Sequence, residues 1–256
     1  MSLEFTQYLG FEISNKCNLA VEHTKCPSLH PDRYGTLDTS RTLTDDIIKA
    51  TAHSAYRDHK FNGAITWHYY NEPMLSWKRL KPLMTDIRKD ISESTFHLWT
   101  NGECFPDDLT GLELFSKIHI TNYKHKNFQR IVDYMPIDTV QIKTMDVMDD
   151  RLIPLTNEDL RCCHRPFYEL VIDYFGNGHI CCSDYKGTSN IGNVWDNTLT
   201  EIVDRYVKIR TAIAKSPLQV TDLDICKWCT LKVYGLSNLV SSVYEHTLSA
   251  MSQGRV

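Results

Sequence analysis

The sequence predicts an α/β fold in two units, on three observations. Over roughly the first 145 residues, short β-like runs alternate with helical patterns at the spacing of parallel βαβ units. After about residue 150 the alternation gives way to a hairpin signature and then to helical patterns. Eight of the nine cysteines lie towards the two ends of the chain, at 17, 26, 162, 163, 181, 182, 226 and 229, with Cys104 between them. The boundaries read from these changes are 1–150 for the first unit and 151–256 for the second.

The elements of the first unit follow in order. Phe11–Ile13 reads as a strand leading to Cys17. Thr44 followed by Asp45 and Asp46 is a helix start, a hydroxyl cap with acids in the first turn, and the helix runs to about Asp58. Ala64–Tyr70 is apolar enough for a buried strand. Leu75, Leu80, Leu83, Met84, Ile87 and Ile91 recur at near-helical spacing. Thr95–Thr100 is the next strand and Asp107–Lys117 the next helix; Ile118–Thr121, a helix near Phe128–Tyr134 and a strand over Thr139–Lys143 complete the series. In the second unit, Phe167–Tyr174 and His179–Cys182 flank a Gly-Asn-Gly turn, the pattern of a β-hairpin, and helices are expected from about Leu199 to Ala214 and beyond Leu231.

Composition narrows the function classes. The 256 residues make one large domain or one and a half at about 150 residues each. An apolar fraction of 42% with 23% charged residues is that of a globular protein, and excludes a largely disordered or fibrous chain. Lys+Arg 28 against Asp+Glu 32 leaves −4, so no nucleic-acid or anionic-membrane partner is called for. The chain contains neither a signal-peptide pattern at its start nor an apolar run of about 18 residues, which predicts a cytoplasmic protein. Cysteines in a reducing compartment point to metal or redox chemistry.

The strongest single signal is Cys226-Lys-Trp-Cys229, a CxxC that brings two thiolates to one metal or cluster. Cys163 and Cys181 are separated by the residues of the hairpin, which folds its ends together and lets the CxxC close a four-thiolate site. Thiolates alone do not separate zinc from iron–sulfur. Cys17 follows a strand and would sit at its C-terminal end, where barrel folds build their sites.

The segment Ser14-Asn-Lys-Cys17-Asn-Leu, closed by Cys26-Pro27, resembles the cluster loop of radical S-adenosylmethionine (radical SAM) enzymes. Tyr70-Asn71-Glu72-Pro73 resembles the Gly-Glu-Pro motif that the family uses for the methionine amino group, and Thr100-Asn101-Gly102 its Thr-Asn-Gly segment. Cys163-His-Arg-Pro166, Gly176–Asp184, Ile191–Trp195 and Cys226–Cys229 resemble a SPASM/twitch extension. The resemblance covers nearly the whole chain in order. It implies a partial (β/α)6-type TIM barrel followed by a small α+β twitch/SPASM-like domain and a C-terminal helix. It also implies a SAM-binding [4Fe–4S] cluster, S-adenosylmethionine, and an auxiliary [4Fe–4S] cluster on Cys163, Cys181, Cys226 and Cys229. The implied activity is cleavage of SAM to a 5′-deoxyadenosyl radical and hydrogen-atom abstraction from a small-molecule substrate, with a flavodoxin or ferredoxin as electron donor. Oxidation of a small hydroxylated metabolite suits a single auxiliary cluster, which would take the electron. Peptide modification is the enzymatic alternative, a degenerate iron–sulfur relative the non-catalytic one, and a zinc-binding structural module a third class.

The family loop is CxxxCxxC, and here no cysteine lies between Cys17 and Cys26. His23 stands where the middle cysteine would be if the first gap were stretched, and imidazole can ligate a cluster iron. A distant residue such as Cys104 or His30 is the second possibility for the third ligand, and an incomplete, inert cluster the third. Tyr123 and Lys124, after the fourth strand, are candidates for the pocket wall, and Arg151 for a clamp on a polar substrate. The plain alternatives are a helix-terminal carboxylate for Glu72, an ordinary turn at Asn101-Gly102, core histidines at 68 and 97, and packing thiols at Cys162 and Cys182.

Overall fold

The computed structural model describes residues 2–23, 26–30, 33–145 and 165–215. Seven strands form one sheet: β1 (Tyr8–Phe11), β2 (Ala64–Thr66), β3 (Thr95–Thr100), β4 (Phe115–Asn122), β5 (Val140–Thr144), β6 (Glu169–Ile172) and β7 (Gly178–His179). Their order is β5-β4-β3-β2-β1-β6-β7. Every neighbouring pair is parallel except β6 and β7. The predicted α/β class holds. Among the described residues the sheet does not close on itself: β2 to β5 run outward from β1 in sequence order, and β6 returns to the other side of β1. The hairpin read from the Gly-Asn-Gly turn is therefore built onto the same sheet as the first five strands.

Helices α1 (Asp45–Asp58), α2 (Trp77–Asp90) and α5 (Leu199–Lys215) are the long ones; α3 (Gln129–Tyr134) and α4 (Arg165–Tyr168) are short. Thr44 caps α1 as its hydroxyl sequence suggested, with Oγ1 accepting from the Ile47 N–H. Ile48, Ala52 and Ala55 of α1, Leu80, Leu83, Met84 and Ile87 of α2, and Ile202, Val203 and Tyr206 of α5 are buried in one core with Leu9, Phe11, Ile65, Phe96, Leu98, Ile118 and Ile120 of the sheet. Strand β3 shows why the sheet has two characters. Phe96 and Leu98 lie in that core, while His97 and Trp99, one residue out of phase, are half-buried on the opposite face. There Trp99 stacks on His68 (5.0 Å) and His119 (4.4 Å), with Tyr8 edge-on at 5.1 Å.

Several elements depart from the sequence reading. The hairpin strands are shorter than Phe167–Tyr174 and His179–Cys182, and Phe167 and Tyr168 belong to α4. The helix expected over Asp107–Lys117 is a single 3-10 turn, Leu112–Leu114, and β4 begins at Phe115. Gly111 adopts φ 97, a left-handed conformation that ends any helical run before it, and Asp108 bonds back to Thr110 in a local turn. Strand β2 stops at Thr66, and the apolar run Trp67–Tyr70 continues as irregular buried chain. The first strand lies at Tyr8–Phe11, earlier than Phe11–Ile13.

A candidate metal and substrate cavity at the strand ends

The loops after β1, β2, β3 and β4 meet over a cavity of about 480 Å³, whose wall continues down the sheet to Tyr8, Tyr168 and Glu169. Cys17, His23 and Cys26 of the first loop all line it, as do Asn71, Glu72, Thr100, Asn101 and Tyr123. Hydrogen bonds explain how residues so far apart in sequence are held together. The Glu72 N–H donates to the Lys16 carbonyl at 2.9 Å, fastening the second loop to the residue before Cys17. The Glu72 carboxylate accepts from the Thr100 hydroxyl at 2.6 Å, the Asn101 N–H at 2.8 Å and the Met74 N–H at 3.0 Å. The last bond caps the 3-10 turn Pro73–Ser76, with Pro73 at its first position, where no N–H is needed. Glu72 is thus both the helix-terminal carboxylate of its plain reading and a cavity-wall residue. Burial raises its pKa against those three donors.

Asn101 completes the link to the first loop. Its Nδ2 donates to Asn18 Oδ1 at 2.8 Å and lies 4.0 Å from the Cys17 sulfur. Gly102 turns the chain at φ 79, where a Cβ would stand 2.5 Å from the Phe128 ring, so this position admits only glycine. Within the first loop the Cys26 N–H donates to the His23 carbonyl at 2.8 Å. The buried His23 ring meets Tyr123 edge-on at 4.4 Å. Burial pushes the Cys17 thiol above its ordinary pKa.

The other sequence candidates fall differently. Lys124 does not line the cavity; it is exposed and paired with Glu22 at 2.9 Å. Cys181 is buried within the hydrophobic core, while Cys182 lines the cavity. Arg151, Cys162, Cys163, Cys226 and Cys229 lie outside the described residues. Cys104 is not in the cavity wall, although it is close enough to Cys17 and Glu72 for their charges to help burial raise its pKa to about 11. His68 lines the cavity, and burial lowers the pKa of His97 to about 4. Sequence reasoning missed Tyr8, Thr66, Thr121 and Glu169; the signal available was the alternation of polar residues on the face of each strand away from the core.

The hairpin that carries Cys181 is held by charge. Burial alone would lower the pKa of His179, but its Nε2 meets Asp173 Oδ2 at 3.0 Å and its Nδ1 the Asp184 carbonyl at 2.8 Å, and the two aspartates raise it to about 10. Asp173 also accepts from the N–H groups of Phe175 and Asn177, and Asp184 from those of Thr188 and Ser189.

Among the described residues no three His, Cys, Asp or Glu side chains converge as ligands of one metal ion. A cluster spreads its ligands around a cube instead. Two thiols and an imidazole opening on one cavity, with the Asn101 amide directed at one sulfur, are a donor set that fits an iron–sulfur group.

A cysteine-bearing loop at the C-terminal ends of an open parallel sheet, with a cysteine-rich extension after it, defines the class: the chain resembles radical SAM enzymes that carry a SPASM-type iron–sulfur extension. Residues 162–230 match the family described as SPASM, iron-sulfur cluster-binding domain, a span that holds six of the nine cysteines. The chain is 23% identical over 236 residues to the S-adenosyl-L-methionine-dependent 2-deoxy-scyllo-inosamine dehydrogenase of Niallia circulans, covering 85% of this chain and 90% of that protein. Its fold is that of BtrN crystallised with AdoMet and 2-DOIA, at a TM-score of 0.70 and 20% identity over 90% of this chain and 94% of the other. BtrN in an open conformation matches at 0.61 and 18% identity, over 88% and 92% of the two chains. Among the described residues no helix is long and apolar enough to cross a membrane.

Proposed function

We propose that this protein is a radical SAM dehydrogenase that oxidises a small hydroxylated metabolite in the cytoplasm; a flavodoxin or ferredoxin would reduce the SAM-binding cluster, and the auxiliary cluster would take the electron lost by the substrate. One observation carries the reading: three separate segments that resemble the family's motifs, around Cys17, Glu72 and Thr100, are hydrogen-bonded to one another at the wall of one cavity. The open sheet is read as the partial (β/α)6-type barrel, and 151–256 as the twitch/SPASM-like unit. Cys17, His23 and Cys26 would hold the SAM-binding cluster, with Asn71, Glu72, Pro73, Thr100, Asn101 and Gly102 around SAM. Cys163, Cys181, Cys226 and Cys229 would hold the auxiliary cluster.

When bound, these cofactors supply hydrogen-atom abstraction and a one-electron acceptor. The chain's own residues do the rest. Glu72, held by three donors, offers its remaining lone pairs to a cationic group without having to reorganise. Tyr123, packed on His23, covers the first loop, and the rings of His68 and Trp99, stacked on each other with His119 behind Trp99, stiffen the cavity wall. Arg151 is the proposed clamp on the substrate, and Lys124 fastens the loop after β4 to the cluster loop through Glu22.

Anaerobic reconstitution with iron and sulfide tests the reading. About eight irons per chain, the content of two [4Fe–4S] clusters, and 5′-deoxyadenosine on adding SAM and a strong reductant are expected. About four irons without SAM cleavage would leave only the auxiliary site and overturn it.

A further inference from the structure

Arg210 is a buried cation with most of its donors unmet. It lies in α5, one turn after Tyr206, and is 1% exposed. Among the described residues its one hydrogen bond runs from Nη1 to the Thr6 hydroxyl, at a long 3.4 Å. Nε and Nη2 meet no acceptor, and no described carboxylate pairs with the group. The guanidinium lies over the Tyr206 ring at 5.5 Å, and the Tyr206 hydroxyl, fully buried, has no partner either. Burial keeps that phenol protonated against the pull of Arg210 and Thr6, with Glu169 adding to the rise, so it too stands as a donor. Buried donors without acceptors are unfavourable, and most so on a charged group.

The unmet donors have a geometry. Nε–H and Nη2–H form one edge of the guanidinium and point in parallel, the spacing that takes two oxygens of a carboxylate or phosphate. A halide has no second oxygen for the pair. Thr6, which holds the other end of the group, also lines a second cavity of about 460 Å³ at the N-terminal ends of β1, β2 and β3. Gln7, Asn62 and Thr95 make its wall polar and neutral; Glu4 is the one carboxylate there among the described residues, and it is exposed to screening water. We propose that Arg210, Tyr206 and Thr6 form a binding site for a small oxyanion, a carboxylate or phosphate, reached from this lower cavity. Arg210 takes two oxygens side-on and the Tyr206 hydroxyl gives a third hydrogen bond. The site lies at the opposite end of the strands from Cys17 and Glu72, so it is separate from the reaction proposed above.

The test titrates the anaerobically reconstituted protein, in chloride buffer at neutral pH, with inorganic phosphate and separately with acetate. Calorimetry should show a saturable site for at least one of them, and the tighter of the two names the source, phosphate or carboxylate. At about a hundredfold excess over the Kd the thermal midpoint should rise by about 5 °C. Arg210→Lys keeps the charge but loses the paired edge, and should weaken binding about tenfold or more. Arg210→Met should abolish binding and, with no buried charge left, melt no lower than ion-free wild type. Tyr206→Phe removes the third donor and should weaken binding about three- to tenfold. Phosphate also stabilises proteins by exclusion from their surface, but that rise is common to all four proteins, so the difference from wild type is what is read. Arg210→Lys and Tyr206→Phe keep the test decisive if the methionine variant does not fold. No saturable binding of either ion by wild type, or equal affinity in wild type and Arg210→Lys, would overturn the proposal. Neither readout needs SAM, so the radical SAM reading stands or falls separately.

Discussion

Replacing Arg33 by methionine should destabilise the protein by about 3–5 kcal/mol, the cost of breaking a buried ion pair from one side. The Glu12 carboxylate, just beyond β1, is fully buried and accepts from Arg33 Nη2, from the Tyr70 N–H at 3.0 Å and from the Tyr174 N–H at 3.1 Å. One side chain thereby joins the end of β1, the cavity loop after β2, and the turn after β6. Arg33 also donates to the Ser28 carbonyl at 3.2 Å and lies over the rings of Tyr34 (4.6 Å) and Tyr70 (5.1 Å). Methionine fills much of the aliphatic volume and leaves the carboxylate two backbone donors, which argues for the lower half of that range. At about 2 cal/mol/K per residue the chain unfolds with an entropy near 0.5 kcal/mol/K, so the loss corresponds to a midpoint lower by about 6–10 °C. Burial already raises the Glu12 pKa against the pull of Arg33. Without the guanidinium it rises further, and the folded state then binds a proton that the unfolded chain at pH 7 does not. The deficit of Arg33→Met should therefore be largest at neutral pH and shrink as the buffer is acidified towards pH 5. Adding Glu12→Gln should restore part of the midpoint, because the buried charge is gone while acceptors for Tyr70 and Tyr174 remain. Circular-dichroism melts of the three proteins at pH 5 and pH 7.5 decide it. A midpoint within about 2 °C of wild type for Arg33→Met at neutral pH, with no recovery in the double variant, would refute the buried-charge reasoning.

Three further outcomes are expected. Gly102→Ala places a Cβ 2.5 Å from the Phe128 ring at a left-handed φ, and should cost about 1–3 kcal/mol in urea denaturation, with weakened SAM binding from the displaced Asn101. His97, whose pKa burial lowers to about 4, is charged more readily in the unfolded chain, so stability falls as pH drops from about 6.5 towards 4. His97→Phe keeps the ring among Tyr8 and Trp99 and should make that acid limb shallower in pH-dependent urea titrations. Cys17→Ala and His23→Ala should each lower reconstituted iron from about eight to about four per chain and abolish 5′-deoxyadenosine release; unchanged iron in both would remove the N-terminal cluster assignment.

Much of the fold could be read locally, because periodicity and caps act within one element. Thr44 with Asp45 and Asp46 announced α1, and the alternation in Thr95–Thr100 announced a strand with two unlike faces. The misread helix over Asp107–Lys117 shows the limit: its apolar spacing was helical, but the left-handed Gly111 ends the run and commits the following residues to β4. The site divides in the same way. The cysteine spacing and the Glu-Pro and Thr-Asn-Gly segments were legible, because each is a short stretch whose chemistry depends on its own order.

By itself the sequence determined the α/β class, the cysteine-rich extension that the family match covers, and the candidates Cys17, His23, Cys26, Glu72 and Thr100–Gly102. Only the tertiary structure decided that these stand on one cavity, that Lys124 turns to solvent beside Glu22, and that Tyr8, Thr66, Thr121 and Glu169 complete the wall. The physical reason is that a cavity forms where loops from different strands are tied by hydrogen bonds across long sequence separations, such as Glu72 to Lys16 and Thr100 to Glu72. Strand order places those loops side by side. No single stretch of residues records that order.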